Sequence, residues 1–547
     1  MKRNASISLL DGRNATSKVP KTSITFDSIS ELVNNRQSDQ LKTCLENSNI
    51  NLRNDDSLLM NACKVGDENC ARILLAHGAD VSFVSQYSGY TALTLACLYG
   101  HDSIVELLVE HGAKINPCVG FLPLVEACEG GNISTVRLLL NSGARVDEKP
   151  RLICDDPTCY AYDVDRDPHF HDEKNALMVA ATSGNTALVA LLLQSGAAVE
   201  TKCENMMNDY FHSEGYTALT FASENYHWDT VKLLLSNGAD INETRNKHQL
   251  LVVYHPSPLT YACEEGDIDV VKELLEMGAD INAATWEGDV EDSYYSPLIS
   301  ASAHGHVDIV EFILAHKGFT AVETVSHALV EACEHNHDCI VNILGKRVGD
   351  LNAFYNRDSG SAETPLSKAS EHGGVESVKM LLAMGANVNA PVDGSGGTAL
   401  MRACRGGNVA VAKLLLERGA LVEAADSQGE TVLMSACRHV TRPDSIKSLV
   451  TLLIEHDADI NRRDNNGNTV LMRYAVHNEL TVSTVLNLLL DYGADVTVKN
   501  QKGETVVGRL QKTTLFPAEL RQELIALCRQ YEVSNRRNGP STAPVLK

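Results

Sequence analysis

Small and apolar positions recur along the chain in a pattern that predicts short, closely packed helices. A leucine is followed three residues later by alanine, in eleven of twelve copies, and four residues later by another small residue. Small residues at i+3 and i+4 lie on one helical face and let a neighbouring helix approach closely. The twelve aligned leucines are Leu59, Leu93, Leu124, Leu177, Leu219, Leu259, Leu298, Leu329, Leu366, Leu400, Leu433 and Leu471.

A second helix is predicted after each copy of this phrase. Segments such as 103–108 and 269–275 place apolar residues at i, i+3 and i+4. In eight copies a glycine stands 19 residues after the aligned leucine, where a helix can end in a left-handed residue. An Ala-Asp-Ile-Asn stretch or a variant of it follows, as at 239–242, and it leads as extended chain into the next copy.

The pattern resembles the ankyrin repeat: two helices joined by a turn, a glycine stop and an extended connection recur at a period of about 34 residues. The resemblance covers residues 24–532 and implies an all-α solenoid of about twelve full repeats. Degenerate capping repeats are expected at residues 26–53 and 501–532, and some β-hairpin finger loops are enlarged. The family's Thr-Pro-Leu-His phrase never keeps its histidine in this chain, which puts one side-chain hydrogen bond per repeat in doubt.

The rest of the domain organisation follows from composition and from the weaker copies. We expect a disordered basic tail at 1–23, the repeat domain at 24–532 and a disordered tail at 533–547. The copy with Gly345 to Gly349 in place of the usual helix stop predicts a soft joint near 319–363. The repeats look most like those of long multi-ankyrin proteins that also carry an RNA-binding KH domain, but no stretch outside the repeats is long enough for that domain.

Charge and cysteine content narrow the functional classes. The 547-residue chain has a net charge of −24 at pH 7, which is unfavourable for binding nucleic acid. No apolar run approaches the roughly 18 residues that span a bilayer, so we expect no membrane partner. Seven of the 15 cysteines fall at the small helix-packing position and are expected to be buried, reduced thiols. Reduced thiols favour the cytosol or the nucleus.

Four consecutive connections are longer than the repeat requires and contain the candidate binding residues. They are residues 147–175, 201–216, 243–257 and 283–296, and together they carry ten of the 28 aromatic residues and a charge of −10. Connections of consecutive repeats should lie side by side, so we expect an aromatic and acidic surface that binds a basic or disordered partner segment. The candidate partner-binding residues are Tyr160, Tyr162, Asp163, Asp165, Phe170, Tyr210, Phe211, Tyr254, Trp286, Asp289, Glu291, Asp292, Tyr294 and Tyr295. The alternative is that the long loops only pack on one another.

The functional prediction is therefore a non-catalytic protein–protein interaction scaffold or adaptor, expected to be monomeric. An alternative is a substrate-recognition subunit of a ubiquitin ligase, a role that many ankyrin proteins perform through a short C-terminal box. The only candidate segment for such a box is 519–531, which fits a capping helix as well or better. A zinc- or nucleotide-dependent enzyme is a second, weaker alternative, because no catalytic motif is present and the near match at Gly503 lacks the lysine of a phosphate-binding loop.

Two clusters have the residue types of a metal site, but we predict no metal and no cofactor. Their spacing does not match a standard zinc pattern, and the second cluster coincides with structural positions of the repeat. The clusters are Cys154, Cys159, His169 and His171, and Cys333, His335, His337 and Cys339. Asn242, Asn282 and Asn461 stand where the resemblance implies hydroxylation by an asparaginyl hydroxylase; the alternative is that they bond the turn backbone.

Overall fold

The structure is a computed structural model, and it divides into two compact units, Met1–Pro258 and Leu259–Lys547. It describes residues 26–46, 57–85, 89–118, 120–150, 174–203, 215–242, 256–283, 285–286, 294–353, 355–356, 362–392, 396–439, 442–475, 482–513 and 515–538. Within these residues there are 28 α-helices and four two-residue strands.

Helices of the first unit come in consecutive pairs. They are α1 Phe26–Asn34, α2 Ser38–Glu46, α3 Ser57–Val65, α4 Glu68–Ala76, α5 Ala92–Leu98, α6 Asp102–Glu110, α7 Pro123–Glu129, α8 Ile133–Asn141, α9 Ala176–Thr182, α10 Thr186–Gln194, α11 Ala218–Glu224 and α12 Trp228–Ser236. The first helices α1, α3, α5, α7, α9 and α11 pack in sequence on one another, and the second helices form a parallel layer behind them.

The second unit repeats this arrangement. Its helices are α13 Pro258–Glu265, α14 Ile268–Glu276, α15 Pro297–Ala303, α16 Val307–Ala315, α17 Val322–Glu334, α18 Asp338–Gly345, α19 Pro365–His372, α20 Val375–Ala383, α21 Ala399–Arg405, α22 Val409–Glu417, α23 Val432–His439, α24 Pro443–Glu455, α25 Val470–Tyr474, α26 Val482–Asp491, α27 Val506–Lys512 and α28 Ala518–Asn538. Two antiparallel hairpins interrupt it, β1 Thr285–Trp286 with β2 Tyr294–Tyr295, and β3 Tyr355–Asn356 with β4 Ala362–Glu363.

The predicted helix-packing positions form the core of both units. All twelve aligned leucines lie in the first helix of a pair and are at most 5% exposed. The seven cysteines at the small position are at most 1% exposed, and burial raises the pKa of every one of these thiols, to about 12 for Cys128 and Cys437. The all-α repeat solenoid predicted from the sequence is therefore confirmed.

At the start of several first helices, a hydroxyl group forms a side-chain hydrogen bond at the position where the family has its histidine. The Thr94 backbone N–H donates to Thr91 Oγ1, and the Thr91 backbone N–H donates to Thr94 Oγ1 over 2.7 Å. The same reciprocal capping occurs in α11 and in α19, where Thr364 and Ser367 form it. Each box satisfies backbone donors that the first turn of a helix leaves free.

Two kinds of side chain join each repeat to its neighbour. On the connection side, Asn282 donates to the Gly318 carbonyl over 2.8 Å and accepts from the Thr320 N–H over 2.7 Å, both in the following repeat. On the helix-turn side, His306 Nε2 donates to the carbonyl of Glu264, 2.9 Å away in the preceding repeat. Asn461 bridges to its following repeat as Asn282 does, so both asparagines bond turn backbone. Hydroxylation of these residues stays a prediction.

Three local features were not expected from the repeat alone. Helix α17 begins at Val322, well before its aligned leucine, and spans 13 residues. The last helix, α28, continues to Asn538, past the boundary at 532. Tyr226 has a φ of 58° at a turn position where most other repeats have glycine. The soft joint near 319–363 and the two disordered tails stay predictions.

Candidate protein-binding surface

The long connections are described mainly at their bases, and in the first unit these bases lie side by side. Lys149 Nζ donates to the carbonyl of Lys202, 2.6 Å away, and the Ala198 N–H donates to Asp147 Oδ1 over 2.9 Å. These contacts join the base of the 147–175 loop to that of the 201–216 loop.

The next pair of loops is joined in the same way. The Asp240 N–H donates to Glu200 Oε1 over 2.9 Å, which joins the residues just before the 201–216 and 243–257 connections. A backbone pair between Cys203 and Tyr216, with N–H to carbonyl distance 2.8 Å, closes the base of the second loop. Three long loops therefore leave the first unit from adjacent bases.

The fourth loop, in the second unit, contains a short hairpin. Its backbone register pairs Trp286 with Tyr294 and Thr285 with Tyr295, so the structure brings three of the candidate aromatic residues together in one hairpin. The other candidate residues lie outside the described part of the chain, and their role stays a prediction. They are Tyr160, Tyr162, Asp163, Asp165, Phe170, Tyr210, Phe211, Tyr254, Asp289, Glu291 and Asp292.

A second candidate surface lies on the first helices. A residue two positions after the aligned leucine is about 200° around the helix from it, so it faces away from the second helix. We call these residues the first-helix row. In the first unit they are Asn61, Leu95, Glu126, Val179 and Phe221, and in the second they are Tyr261, Ser300, Glu331, Lys368, Arg402, Ser435 and Arg473, with Arg509 in the closing repeat.

The first-helix row of the first unit lies beside aromatic rings. We call the residues three positions before each aligned leucine the approach row, and Tyr90, Phe121, Lys174 and Tyr216 belong to it. The rings of Tyr90 and Phe121 stack with centroids 4.4 Å apart, and the Tyr216 and Phe221 centroids are 5.3 Å apart. The Lys174 ammonium lies 4.5 Å from the Phe221 ring centroid, a cation–π contact.

In the second unit the first-helix row is charged and paired. Arg402 is 8% exposed and contacts Glu363 Oε1 at 3.3 Å and Glu371 Oε2 at 3.4 Å. Lys368 Nζ lies 3.1 Å from Glu334 Oε2. Buried charges of this kind are retained only when they are paired, since an unpaired one costs several kcal/mol.

Further along the same row, Arg473 forms ion pairs with Glu430 and, at 3.0 Å, with Asp464. Arg509 donates to Asn468 Oδ1 over 3.1 Å. The sequence interpretation concentrated on the long loops and missed this row. The signal that could have found it was the alignment itself, because charged residues two positions after the aligned leucine are visible there.

The described geometry bears on only one of the two metal candidates. The first, Cys154, Cys159, His169 and His171, lies outside the described residues. In the second, Cys333 is fully buried while Cys339 is exposed, His337 Nε2 donates to Ala303 O over 2.8 Å, and the ring of His335 stacks on that of His337. Across the ranges that the structure describes, no three or more histidine, cysteine or acidic residues are grouped so that they could hold a metal ion.

No described helix combines the length and hydropathy needed to cross a bilayer.

Comparison with protein families gives matches over most of the chain. The profile described as "Ankyrin repeats (3 copies)" matches residues 29–118, 59–150, 151–245, 177–285, 244–325 and 422–500, and "Ankyrin repeats (many copies)" matches 366–416.

Several curated proteins are similar over part of the chain. Ankyrin repeat and KH domain-containing protein mask-1 of Caenorhabditis elegans is 31% identical over 235 residues, 42% of this chain and 8% of that protein. Ankyrin repeat and SOCS box protein 6 of Homo sapiens is 41% identical over 58 residues, 11% of this chain and 14% of that protein. Ankyrin repeat domain-containing protein 29 of Danio rerio is 42% identical over 71 residues, 13% of this chain and 21% of that protein. The matches thus span 8% to 21% of the length of these relatives.

The family matches agree with the stacked helix pairs and with the buried leucine and cysteine positions. The chain belongs to the ankyrin-repeat family.

Proposed function

We propose that this chain is a non-catalytic scaffold or adaptor that binds a basic or disordered segment of a partner protein through its enlarged finger loops. Ankyrin repeats are protein–protein interaction modules, which supports the scaffold role. The more specific part of the proposal concerns the loops 147–175, 201–216 and 243–257 of the first unit and the hairpin loop 283–296 of the second.

The observation that carries the proposal is the adjacency of the loop bases. The contacts Lys149–Lys202 and Glu200–Asp240 hold the bases of three consecutive long connections next to one another. Loops that leave a rigid scaffold from adjacent bases can contact one ligand together.

The composition of the loops supports a cationic ligand. They carry ten aromatic residues and a charge of −10. Aromatic faces attract lysine and arginine through cation–π contacts, and carboxylates form charge-assisted hydrogen bonds with them. Aromatic side chains are also the residue type that most often dominates binding energy at an interface.

The test compares the intact chain with a variant whose four long loops are shortened to the length of the ordinary connections. A matched second variant keeps the loop lengths and replaces only the loop carboxylates by their amides. Bound partners are identified from both at low and high salt. We expect both variants to lose the same partners, and the intact chain to lose them at high salt. Partners that bind all three proteins equally contradict the proposal, provided that melting curves show the repeats intact.

A ubiquitin-ligase role is the second candidate, and similarity to a protein named for a SOCS box favours it. The candidate segment is α28, but two of its residues, Leu524 and Cys528, are buried, and its Tyr531 hydroxyl donates to Asp491. These contacts suit a capping helix. Pull-down of a cullin or elongin-type adaptor by the full chain, lost when 517–547 is removed, would favour the ligase role over the adaptor role.

Further parts of the proposal concern location and state. We place the chain in the cytosol or the nucleus, since its buried thiols are free and a reducing compartment keeps thiols reduced. We also propose that it is a monomer and that it has no cofactor. Imaging of the tagged chain and light scattering of the purified chain test these two points. Stoichiometric zinc or nucleotide in the purified chain would instead point to the weaker enzyme alternative.

A further inference from the structure

Several members of the first-helix row contact the preceding repeat in a common register. In the second unit Arg402, Arg473 and Arg509 each contact the approach-row residue of the preceding repeat. The first unit follows the same register, because Lys174 of the approach row lies over the ring of Phe221 in the next repeat. Glu331, the other acidic member of the row, also interacts with another group of the chain.

Lys368 departs from this register but is still paired, with Glu334 of the preceding repeat, whereas Glu126 departs from it without a charged partner among the described residues. Glu126 lies on α7, two positions after Leu124, and is 5% exposed. Within the part of the chain that the structure describes, no hydrogen bond or ion pair reaches its carboxylate. The register assigns Tyr90 as the approach-row residue of the repeat before it, and an aromatic ring supplies no counter-charge.

The surroundings of Glu126 are apolar or acidic. The neighbouring members of the row are Leu95 on α5 and Val179 on α9. The nearby titratable groups are the thiol of Cys97 on α5, whose pKa is raised by burial and then by the charge of Glu126, and the carboxylate of Glu129.

Other elements packed on α7 offer no cation either. Helix α9 has no titratable residue, and the charged residue of α8, Arg137, is exposed. Burial, followed by the charge of Glu129, raises the pKa of Glu126 to about 8. The protein therefore holds an acid in a place where ionisation is unfavourable until a positive charge arrives.

The carboxylate of Glu126 is not completely enclosed. The described residues enclose six side-chain polar atoms that lack a partner, and neither oxygen of Glu126 is among them. Leu95 and Leu98 on the adjacent helix are half-buried, and Tyr99 at its end is 45% exposed. Apolar surface thus lies beside an acid whose oxygens are not completely enclosed.

We infer that the first-helix row around Glu126 is a second contact surface for a partner segment, which places one lysine or arginine against Glu126 and apolar side chains against Leu95 and Val179. The inference rests on the proposed role in protein binding and adds a site separate from the loops. Charge complementarity selects the occupant: the cationic members of the row have partners within the chain, whereas Glu126 has no counter-ion among the described residues. A single carboxylate without further oxygen or nitrogen ligands does not suit a metal ion.

The experiment selects binders from a library of displayed 12-residue peptides on the full chain and then measures synthetic peptides by fluorescence anisotropy. We expect enrichment of sequences with one basic residue between apolar residues. Glu126→Gln should weaken their binding by about 30-fold or more, because truncating one partner of a desolvated charge pair leaves the other unpaired. The matched control Glu129→Gln removes the same charge from an exposed position of the same helix and should leave the affinity within twofold.

A charge exchange gives the sharpest outcome. Glu126→Lys should prefer a peptide whose basic residue is replaced by glutamate, and it should reject the original peptide. The inference is overturned if no peptide is enriched, if the enriched peptides lack a basic residue, or if they bind Glu126→Gln as tightly as the intact chain. Circular dichroism of each variant shows that its repeats are folded.

The same peptides separate this inference from the loop proposal. The chain with shortened loops should bind them with unchanged affinity if the first-helix row acts independently. Loss of loop-dependent partners with retained peptide binding therefore affects only the loop proposal, and the reverse result affects only the role of Glu126.

Discussion

Replacing Glu126 by glutamine should change how the stability of the first unit depends on pH. Burial raises the pKa of Glu126 from 4.5 in the unfolded chain to about 8 in the folded one. Above pH 4.5 the unfolded chain loses this proton while the folded chain keeps it, so the free energy of unfolding falls as pH rises towards 8. Between pH 5 and pH 7.5 the loss amounts to about 3 kcal/mol. Glutamine has the same shape and no charge, so the variant should lack this loss.

The chain offers a local reporter for this measurement. It has two tryptophans, Trp228 on α12 of the first unit and Trp286 in the second unit. In a Trp286→Phe background the fluorescence of Trp228 follows urea unfolding of the first unit. Intact, Glu126→Gln and Glu129→Gln chains are compared at several pH values, and the histidine contributions cancel because all three share them.

The expected result is a stability difference between Glu126→Gln and the intact chain that is small at pH 5 and grows by about 3 kcal/mol by pH 7.5. The Glu129→Gln control should show a much smaller growth, since Glu129 is exposed and acts only through the effect of its charge on Glu126. Parallel pH profiles for the intact chain and Glu126→Gln would refute the reasoning. A glutamine variant that is less stable at pH 7.5 would show that the carboxylate already has a stabilising partner.

Three further predictions concern other parts of the chain. Tyr226→Gly should be about 1 kcal/mol more stable to urea than Tyr226→Ala, because both remove the ring and only glycine relieves the φ of 58°. Arg402→Ala should lower the free energy of unfolding of the second unit by about 3 kcal/mol, since it leaves Glu363 buried without its nearest cation, and adding Glu363→Gln should recover part of the loss. Alkylation followed by peptide mass spectrometry should find Cys118 and Cys339 modified in the native chain, whereas the seven thiols at the helix-packing position react only in urea; early reaction of those seven would contradict their burial.

The repeat pattern was sufficient to predict most of the fold. Leucine and alanine at fixed spacing decide which face of a first helix is buried, and this local rule holds in every repeat because each contacts only its neighbours. The early start of α17 at Val322 was not predicted, because an alignment anchored on Leu329 carries no information about helix-forming residues before it. The extension of α28 to Asn538 was missed for a related reason, since no following repeat limits that helix.

The candidate surfaces were predictable only in part. The long loops are visible in the sequence because they break the period, and the pairing of Trp286 with Tyr294 agrees with a finger hairpin. The pairing of Lys174 with Phe221 was not predictable, because it depends on how far one repeat is displaced along its neighbour. The isolation of Glu126 depends on the same register, which a single sequence does not specify.

The two kinds of link between neighbouring repeats have a consequence for how such a chain can change its length. Asparagines such as Asn282 reach forward to the next connection, and histidines such as His306 reach back to the previous turn. If one whole internal repeat is removed, each linking side chain meets a backbone acceptor of the same kind in its new neighbour. Both acceptors are backbone groups that every repeat presents. If half a repeat is removed, the asparagine and the histidine both lose their acceptors. Gain and loss of complete units should therefore be the mutational steps that this architecture tolerates most readily, while insertions of other lengths are confined to the tips of its connections.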